Sequence, residues 1–334
     1  MAFVRSMVGV ALLIIVVCSL GAVEARGAGG GGGGGTRNTH ADLVKAVTST
    51  CSLVLSSDVT LTANLPDVDT TACPEVKIVG ACRKRQCKID GAGKYSFLRG
   101  GITVRLENLW LTKMRCSGAD NAPVVFKAGH VFITGCRVTH NVNAQDTGAL
   151  SAYEGRITVE KTVFEHNQGR IGGAILLDSF STLVATDVSF GNNKAAKGGA
   201  IFNIESDVQC TRCQFLHNLA GDGGALYFQD NDGTEGTFKN SQFIGNKATR
   251  AGGMGGAVYI HNIDPGAKFC NCEWDRNTVP GTGPRSRAPV VQHLYIHNQE
   301  EGTISFCPAR PLSGVVIEPP ATAVNVKDDC ASGC

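Results

Sequence analysis

Phe164-Glu165-His166-Asn167, followed by Gly172-Gly173-Ala174-Ile175, is a two-part phrase that recurs along this 334-residue chain. An aromatic or apolar residue stands three places before an asparagine at Val138/Asn141, Phe164/Asn167, Phe190/Asn193, Phe215/Asn218, Phe243/Asn246 and Trp274/Asn277. The asparagines step by 26, 26, 25, 28 and 31 residues. Glycine phrases lie between them at Gly148 to Leu150, Gly172 to Ile175, Gly198 to Ile201, Gly223 to Leu226 and Gly255 to Val258. A steady period of this size marks a stacked repeat.

Each repeat holds two or three short apolar runs between turn signals and no helical pattern. One such unit cannot bury its own apolar face. Stacked units can, each bonding to the next at about 4.8 Å. The expected fold is therefore an all-β parallel β-helix, of about ten coils between Leu53 and Phe306. Five places before each aromatic stand Ile133, Val159, Ala185, Cys210, Phe238 and Phe269, and two places before stand Cys136, Thr162, Val188, Cys213, Ser241 and Cys272. Both columns are apolar or small and should face inward. The column between them and the aromatics (Arg137, Val163, Ser189, Gln214, Gln242, Glu273) is mostly polar and should face out. The asparagines are expected to form an internal ladder of stacked amides. The glycine pairs suit turns that need positive φ or close contact between coils.

Four segments follow from composition. Residues 1–25 have the basic start (Arg5), apolar core (Val8 to Leu20) and small-residue exit of a secretion signal. Residues 26–38 are a glycine-rich linker. The β-helix is expected over 39–310, opened by a short capping helix over Thr39 to Thr48 with Thr39 as N-cap, Asp42 at N3 and Leu43, Val44 and Val47 on one face. Residues 311–334 read as an irregular tail carrying Cys330 and Cys334, Cys330 pairing with Cys334 or Cys307. No membrane span is expected once the signal is removed. Fourteen cysteines suit an oxidising, extracellular location. A net charge of +2, with 18% charged residues, argues against nucleic acid as a partner.

The paired Phe-x-x-Asn and Gly-Gly-Ala-Ile phrases resemble the repeats of chlamydial polymorphic outer-membrane proteins, and more widely the pectin-lyase-like superfamily. That resemblance implies a right-handed β-helix, adhesion at a cell surface, and polysaccharide as a ligand class. No counterpart of the C-terminal membrane barrel of the chlamydial proteins is expected in residues 311–334.

No catalytic, cofactor-binding or metal-binding set emerges. Paired carboxylates at about 5 to 9.5 Å would be needed for glycoside hydrolysis, yet Asp178, Asp187, Asp207, Asp230 and Asp232 fall at different offsets and Asp328-Asp329 lies in the tail. His140 and His166 occupy equivalent places on adjacent repeats, but Asn192 interrupts the column. The cysteines at 210, 213, 270 and 272 read as buried thiols or local disulfides. Bases after the asparagines (Arg170, Lys194, Lys197, Lys247, Arg250) suggest a stripe for an anionic polysaccharide or acidic protein surface. Arg83, Lys84, Arg85 and Lys88 make a second basic patch around Cys82 and Cys87. The expected function is a secreted, non-catalytic scaffold for surface or matrix interaction, with extracellular polysaccharide or a cell-surface protein as partner. The alternative is a carbohydrate-active enzyme, a lyase or glycoside hydrolase.

Overall fold

The computed structural model describes residues 37–327 apart from residue 102 and the segments 118–121, 127–128, 282–287, 298–301, 308–312 and 319–323. The expected leader, most of the linker, and the tail positions Asp328, Asp329, Cys330 and Cys334 lie outside the described residues. The chain winds as a parallel β-solenoid. One face stacks Glu75–Gly80, Thr103–Glu107, His130–Thr134, Arg156–Glu160, Thr182–Thr186 and Asp207–Thr211 in register. A second face of nine strands includes Leu109–Thr112, Arg137–Thr139, Val163–Glu165, Ser189–Gly191, Gln214–Leu216 and Gln242–Ile244. Short rungs make the third face, and a return face carries Leu150–Tyr153, Ile175–Asp178 and Ile201–Ile204.

The third face has seven successive levels, at Arg115, Val142, Gln168, Lys194, Leu219, Lys247 and Thr278. The complete coils thus number about seven, not ten. The shortfall has a physical origin. Residues Leu61 to Cys73 spend chain on the N-terminal cap, and two coils are lengthened by the long strands Leu226–Lys239 and Val258–Cys270.

The cap is an α-helix over His40–Lys45 that relaxes into a π-turn over Ala46–Thr50. Thr39 donates its backbone N–H to the Asp42 carboxylate at 2.8 Å. Leu43 and Val47 are wholly buried and continue the solenoid core. Cys51 then turns left-handed (φ 59°) and is bonded to Cys73.

At the core, Phe164, Phe190, Phe215 and Phe243 stack with ring centroids 5.2, 5.0 and 4.8 Å apart. Beside them runs the column of Asn141, Asn167, Asn193, Asn218, Asn246 and Asn277, all with 0% exposure. Asn193 shows the unit. Its Oδ1 accepts from the backbone N–H of Asn167 (3.0 Å) and from Asn167 Nδ2 (3.0 Å). Its Nδ2 donates to Asn218 Oδ1 (3.1 Å) and to the Phe164 carbonyl (3.0 Å). Asn246 repeats the unit two coils on, although its spacing to the next asparagine has stretched to 31 residues. Its Oδ1 accepts from Asn218 N–H (2.9 Å) and Asn218 Nδ2 (3.0 Å), and its Nδ2 donates to Asn277 Oδ1 (2.9 Å) and the Phe215 carbonyl (2.8 Å). The extra residues therefore bulge elsewhere in the coil and leave the ladder in phase. From Asn167 onward both donors and both acceptor sites of each amide are used, so the column is buried with its hydrogen-bonding capacity met.

The residue before each asparagine carries a left-handed backbone: His140 (57°), His166 (56°), Asn192 (53°), His217 (54°), Gly245 (66°) and Arg276 (48°). The glycine pairs divide two tasks. Gly198 has φ 61°, and a Cβ on Gly199 would sit 2.1 Å from the Gly224 carbonyl oxygen of the next coil.

The strands continue past residue 310. Val315–Glu318 pairs with Leu294–His297, and Val324–Lys327 pairs with Gly302–Cys307. The segment read as an irregular tail therefore adds rungs to the solenoid. Cys307 is disulfide-bonded and faces Cys270, also disulfide-bonded, in register. The pairing expected of Cys330, with Cys334 or Cys307, lies outside the described residues.

Candidate binding surfaces

The corner between the first and second faces forms a shallow cleft along the rod. Its turns are left-handed at Lys161, Asp187, Arg212, Asn240 and Asn271. One hollow of about 370 Å³ is lined by Lys161, Asp187, Arg212 and Gln214, among others. A second, of about 470 Å³, is lined by Asn240, Gln242, Asn271 and Glu273 with their neighbours.

Polar side chains in this cleft bond to each other from rung to rung. Arg212 clasps Asp187 with two bonds of 2.6 and 2.9 Å. Gln214 donates to Gln242 (3.0 Å) and Gln242 to Glu273 (2.8 Å). The Arg212 hydrogen bonds hold the Asp187 carboxyl below its ordinary range. A glycosidase acid needs the opposite shift. Asp207 accepts the Glu235 backbone N–H at 2.8 Å, and the Asp230 and Asp232 side chains lie outside the described residues.

The asparagine ladder takes no part in these surfaces. Asn141, Asn167, Asn193, Asn218, Asn246 and Asn277 are closed off from solvent and spend their amides on one another and on backbone, so their work is structural.

The five bases expected to form one stripe are divided among three columns. Lys194 and Lys247 share a column but are separated by Leu219. Arg170 lies in the next column, donating Nε to the Gln145 carbonyl at 2.8 Å. Backbone bonds through Ala196 and Gly221 lead from it to Arg250. Arg250 is held by Asp222 at 2.8 Å. Lys197, in the third column with Ile171 and Asp222, lies 4.7 Å from the Tyr227 ring centroid and 3.2 Å from Gln229 Oε1. Two of the five cations, Arg250 and Lys197, are thus already engaged by strong partners.

His140 and His166 do meet, with ring centroids 5.0 Å apart. Burial and the neighbouring imidazole keep His140 below its ordinary pKa. No group of three His, Cys, Asp or Glu side chains able to hold a metal occurs among the described residues. Cys136, Cys210 and Cys213 are buried thiols, and Cys272 is a half-buried one. Burial pushes Cys136 and Cys272 up to about 12, which makes them poor nucleophiles.

The second basic patch is better built. A disulfide between Cys82 and Cys87, five residues apart, clamps the loop that holds Arg83, Lys84 and Arg85 outward. Arg85 bonds Asp58 at 2.6 Å, while neither Arg83 nor Lys84 has an ion pair among the described residues. Beside the loop, Lys88, Trp110 and Arg137 are register partners on the second face. Lys88 Nζ and the Arg137 guanidinium lie 5.8 and 5.4 Å from the Trp110 ring. Lys88 and Lys113 share Asp90, at 3.4 and 3.9 Å, and Arg137 reaches Glu165 at 3.8 Å. Six bases (Arg83, Lys84, Arg85, Lys88, Lys113, Arg137) therefore face three acids (Asp58, Asp90, Glu165). Sequence reasoning missed Trp110 because its coil carries a degenerate phrase, Leu111-Thr112-Lys113-Met114. The Met114 backbone N–H still donates to Asn141 Oδ1 at 2.8 Å, so the coil is a true repeat.

Residues 124–278 match the family model described as the right handed beta helix region, in keeping with the stacked parallel faces. The chain is also similar to the "Metabotropic glutamate receptor-like protein R" of Dictyostelium discoideum, 30% identical over 128 residues. That match covers 37% of this chain and 8% of the relative. No solved structure matches. No helix among the described residues is long and apolar enough to cross a membrane.

Proposed function

We propose that the protein is a secreted, non-catalytic recognition scaffold that binds an extended polyanion, with carboxylated or sulfated extracellular polysaccharide as the ligand class. The observation that carries this reading is the disulfide-clamped loop at Arg83-Lys84-Arg85 set beside the Lys88–Trp110–Arg137 column. A fixed loop loses little conformational freedom on binding, so weak contacts with successive anionic groups add up. Exposed Lys194, Lys247 and Arg170 extend positive charge further along the rod. The disulfides are compatible with an extracellular location. The Phe-x-x-Asn and Gly-Gly-Ala phrases, resembling chlamydial surface adhesin repeats, support interaction at a cell surface.

The cleft carboxylates favour binding over hydrolysis, since Asp187 is locked in an ion pair that keeps it ionised. The test is to incubate the protein with polygalacturonate, alginate, pectin and a sulfated glycan. Saturable binding without new reducing or unsaturated ends is expected. Turnover of any of them sinks the scaffold reading in favour of the lyase or hydrolase alternative.

A further inference from the structure

The corner between the return face and the first face varies in length along the solenoid, and one level differs from the two that flank it. Two residues, Glu154-Gly155, link Tyr153 to Arg156, and two, Glu205-Ser206, link Ile204 to Asp207. Between them the corner from Asp178 to Thr182 holds three, Ser179-Phe180-Ser181. The extra residue pushes out Phe180, which is 71% exposed.

Its backbone is costly. Ser179 (φ 53°) and Phe180 (φ 58°) are both left-handed, a pairing that two-residue turns give to Asn-Gly. A bulky side chain at such a φ is a true outlier. The surrounding structure over-determines it: Phe180 N–H donates to the Glu205 carbonyl (2.7 Å), the Glu154 N–H donates to the Ser179 carbonyl (3.1 Å), and the Ser181 hydroxyl donates to the Asp178 carbonyl (2.7 Å). Strain held this firmly, under an exposed aromatic ring, marks a working position.

Charge identifies what the ring meets. Phe180 stands between Glu154 and Glu205 on the neighbouring rungs, and neither glutamate has an ion pair among the described residues. The matching surface is on the same molecule: the face of Arg83, Lys84, Lys88, Trp110 and Arg137 has surplus cations and a half-buried aromatic ring. We infer that the Phe180 corner of one copy docks on the basic Trp110 face of a second copy. The contact joins two different surfaces, so it propagates into chains rather than stopping at a dimer. It rests on the polyanion reading only in sharing the basic face, and a polyanion bound there competes with it.

Sedimentation velocity of the purified protein tests this across concentration and salt. At low salt the mass average is expected to climb past dimer, and to fall to monomer in high salt or with excess polygalacturonate. Phe180→Gly is expected to abolish association, raise the thermal midpoint by relieving the backbone, and leave polyanion binding unchanged. Glu154→Lys with Glu205→Lys is expected to abolish association alone, and Arg83→Glu with Lys84→Glu to abolish both activities. A monomer at all concentrations in low salt, or chains that persist in Phe180→Gly, overturns the inference while leaving the polyanion reading standing.

Discussion

Asn277 Nδ2 lies 3.0 Å from Nδ1 of the buried His293, and this bond closes the asparagine ladder at its C-terminal end. Asn246 hands its amide on to Asn277, which has no further asparagine to bond, and the imidazole takes that place. The bond requires Nδ1 without a proton, so the ladder ends on a neutral histidine.

Burial holds His293 below its ordinary pKa, and Asp275 opposes this weakly. The unfolded chain then binds the proton more readily than the folded one. The stabilisation is present above the ordinary value of about 6.5 and is lost as pH falls below it. His130 and His140, also lowered mainly by burial, act in the same direction. The urea midpoint is expected to drop from pH 7 to pH 5, with a shallower slope in His293→Gln, which keeps an acceptor for Asn277. Equal slopes in both proteins would contradict this role.

Asn193→Leu removes the acceptor for two Asn167 donors inside the core. Stranding buried groups costs about 1–3 kcal/mol each, so a loss of at least about 3 kcal/mol is expected in urea unfolding. Gln214→Ala, which breaks a bond of similar length on the exposed face, should change stability by less than about 0.5 kcal/mol.

Gly199→Ala is expected to prevent folding or to abolish cooperative melting. Its Cβ would meet the Gly224 carbonyl oxygen at 2.1 Å, a backbone atom fixed by the next coil. Far-UV circular dichroism with a thermal melt measures this.

The disulfides differ in purpose. Cys51–Cys73 closes a 22-residue span between the cap and the first coils, and its removal as Cys51→Ser with Cys73→Ser should cost about 3 kcal/mol. Cys82–Cys87 spans only five residues, and Cys82→Ser with Cys87→Ser is expected to cost about 2 kcal/mol or less while weakening polyanion binding. Paired measurements of unfolding and binding on the two double variants separate these effects.

The repeat makes much of this architecture readable from the chain. Phe-x-x-Asn positions recur at nearly constant spacing, and they correspond to stacked rings and stacked amides. A count of ten coils is too high because the chain spent on the cap and on Leu226–Lys239 carries no periodic mark. The basic stripe divides because the bases sit one to three residues apart in phase. At a turn that shift moves a side chain to another column, as it does for Lys194, Lys197 and Arg250. Cys82 and Cys87 stand out in the sequence, yet Trp110 does not, since its alignment with Lys88 and Arg137 depends on register across irregular spacings. The extra residue at Phe180 is visible only once neighbouring corners can be compared.

Binding of polygalacturonate as a function of salt, for the unmodified protein and for Arg83→Glu with Lys84→Glu, tests the polyanion face most directly. Contacts between exposed charges are screened over about 10 Å at 0.1 M salt, so affinity carried by this face should fall steeply as salt rises. The double reversal is expected to lose most of the affinity and most of its salt dependence, with an unchanged melting curve. Salt-independent binding, or an undiminished affinity in the double reversal, would place the ligand elsewhere on the rod.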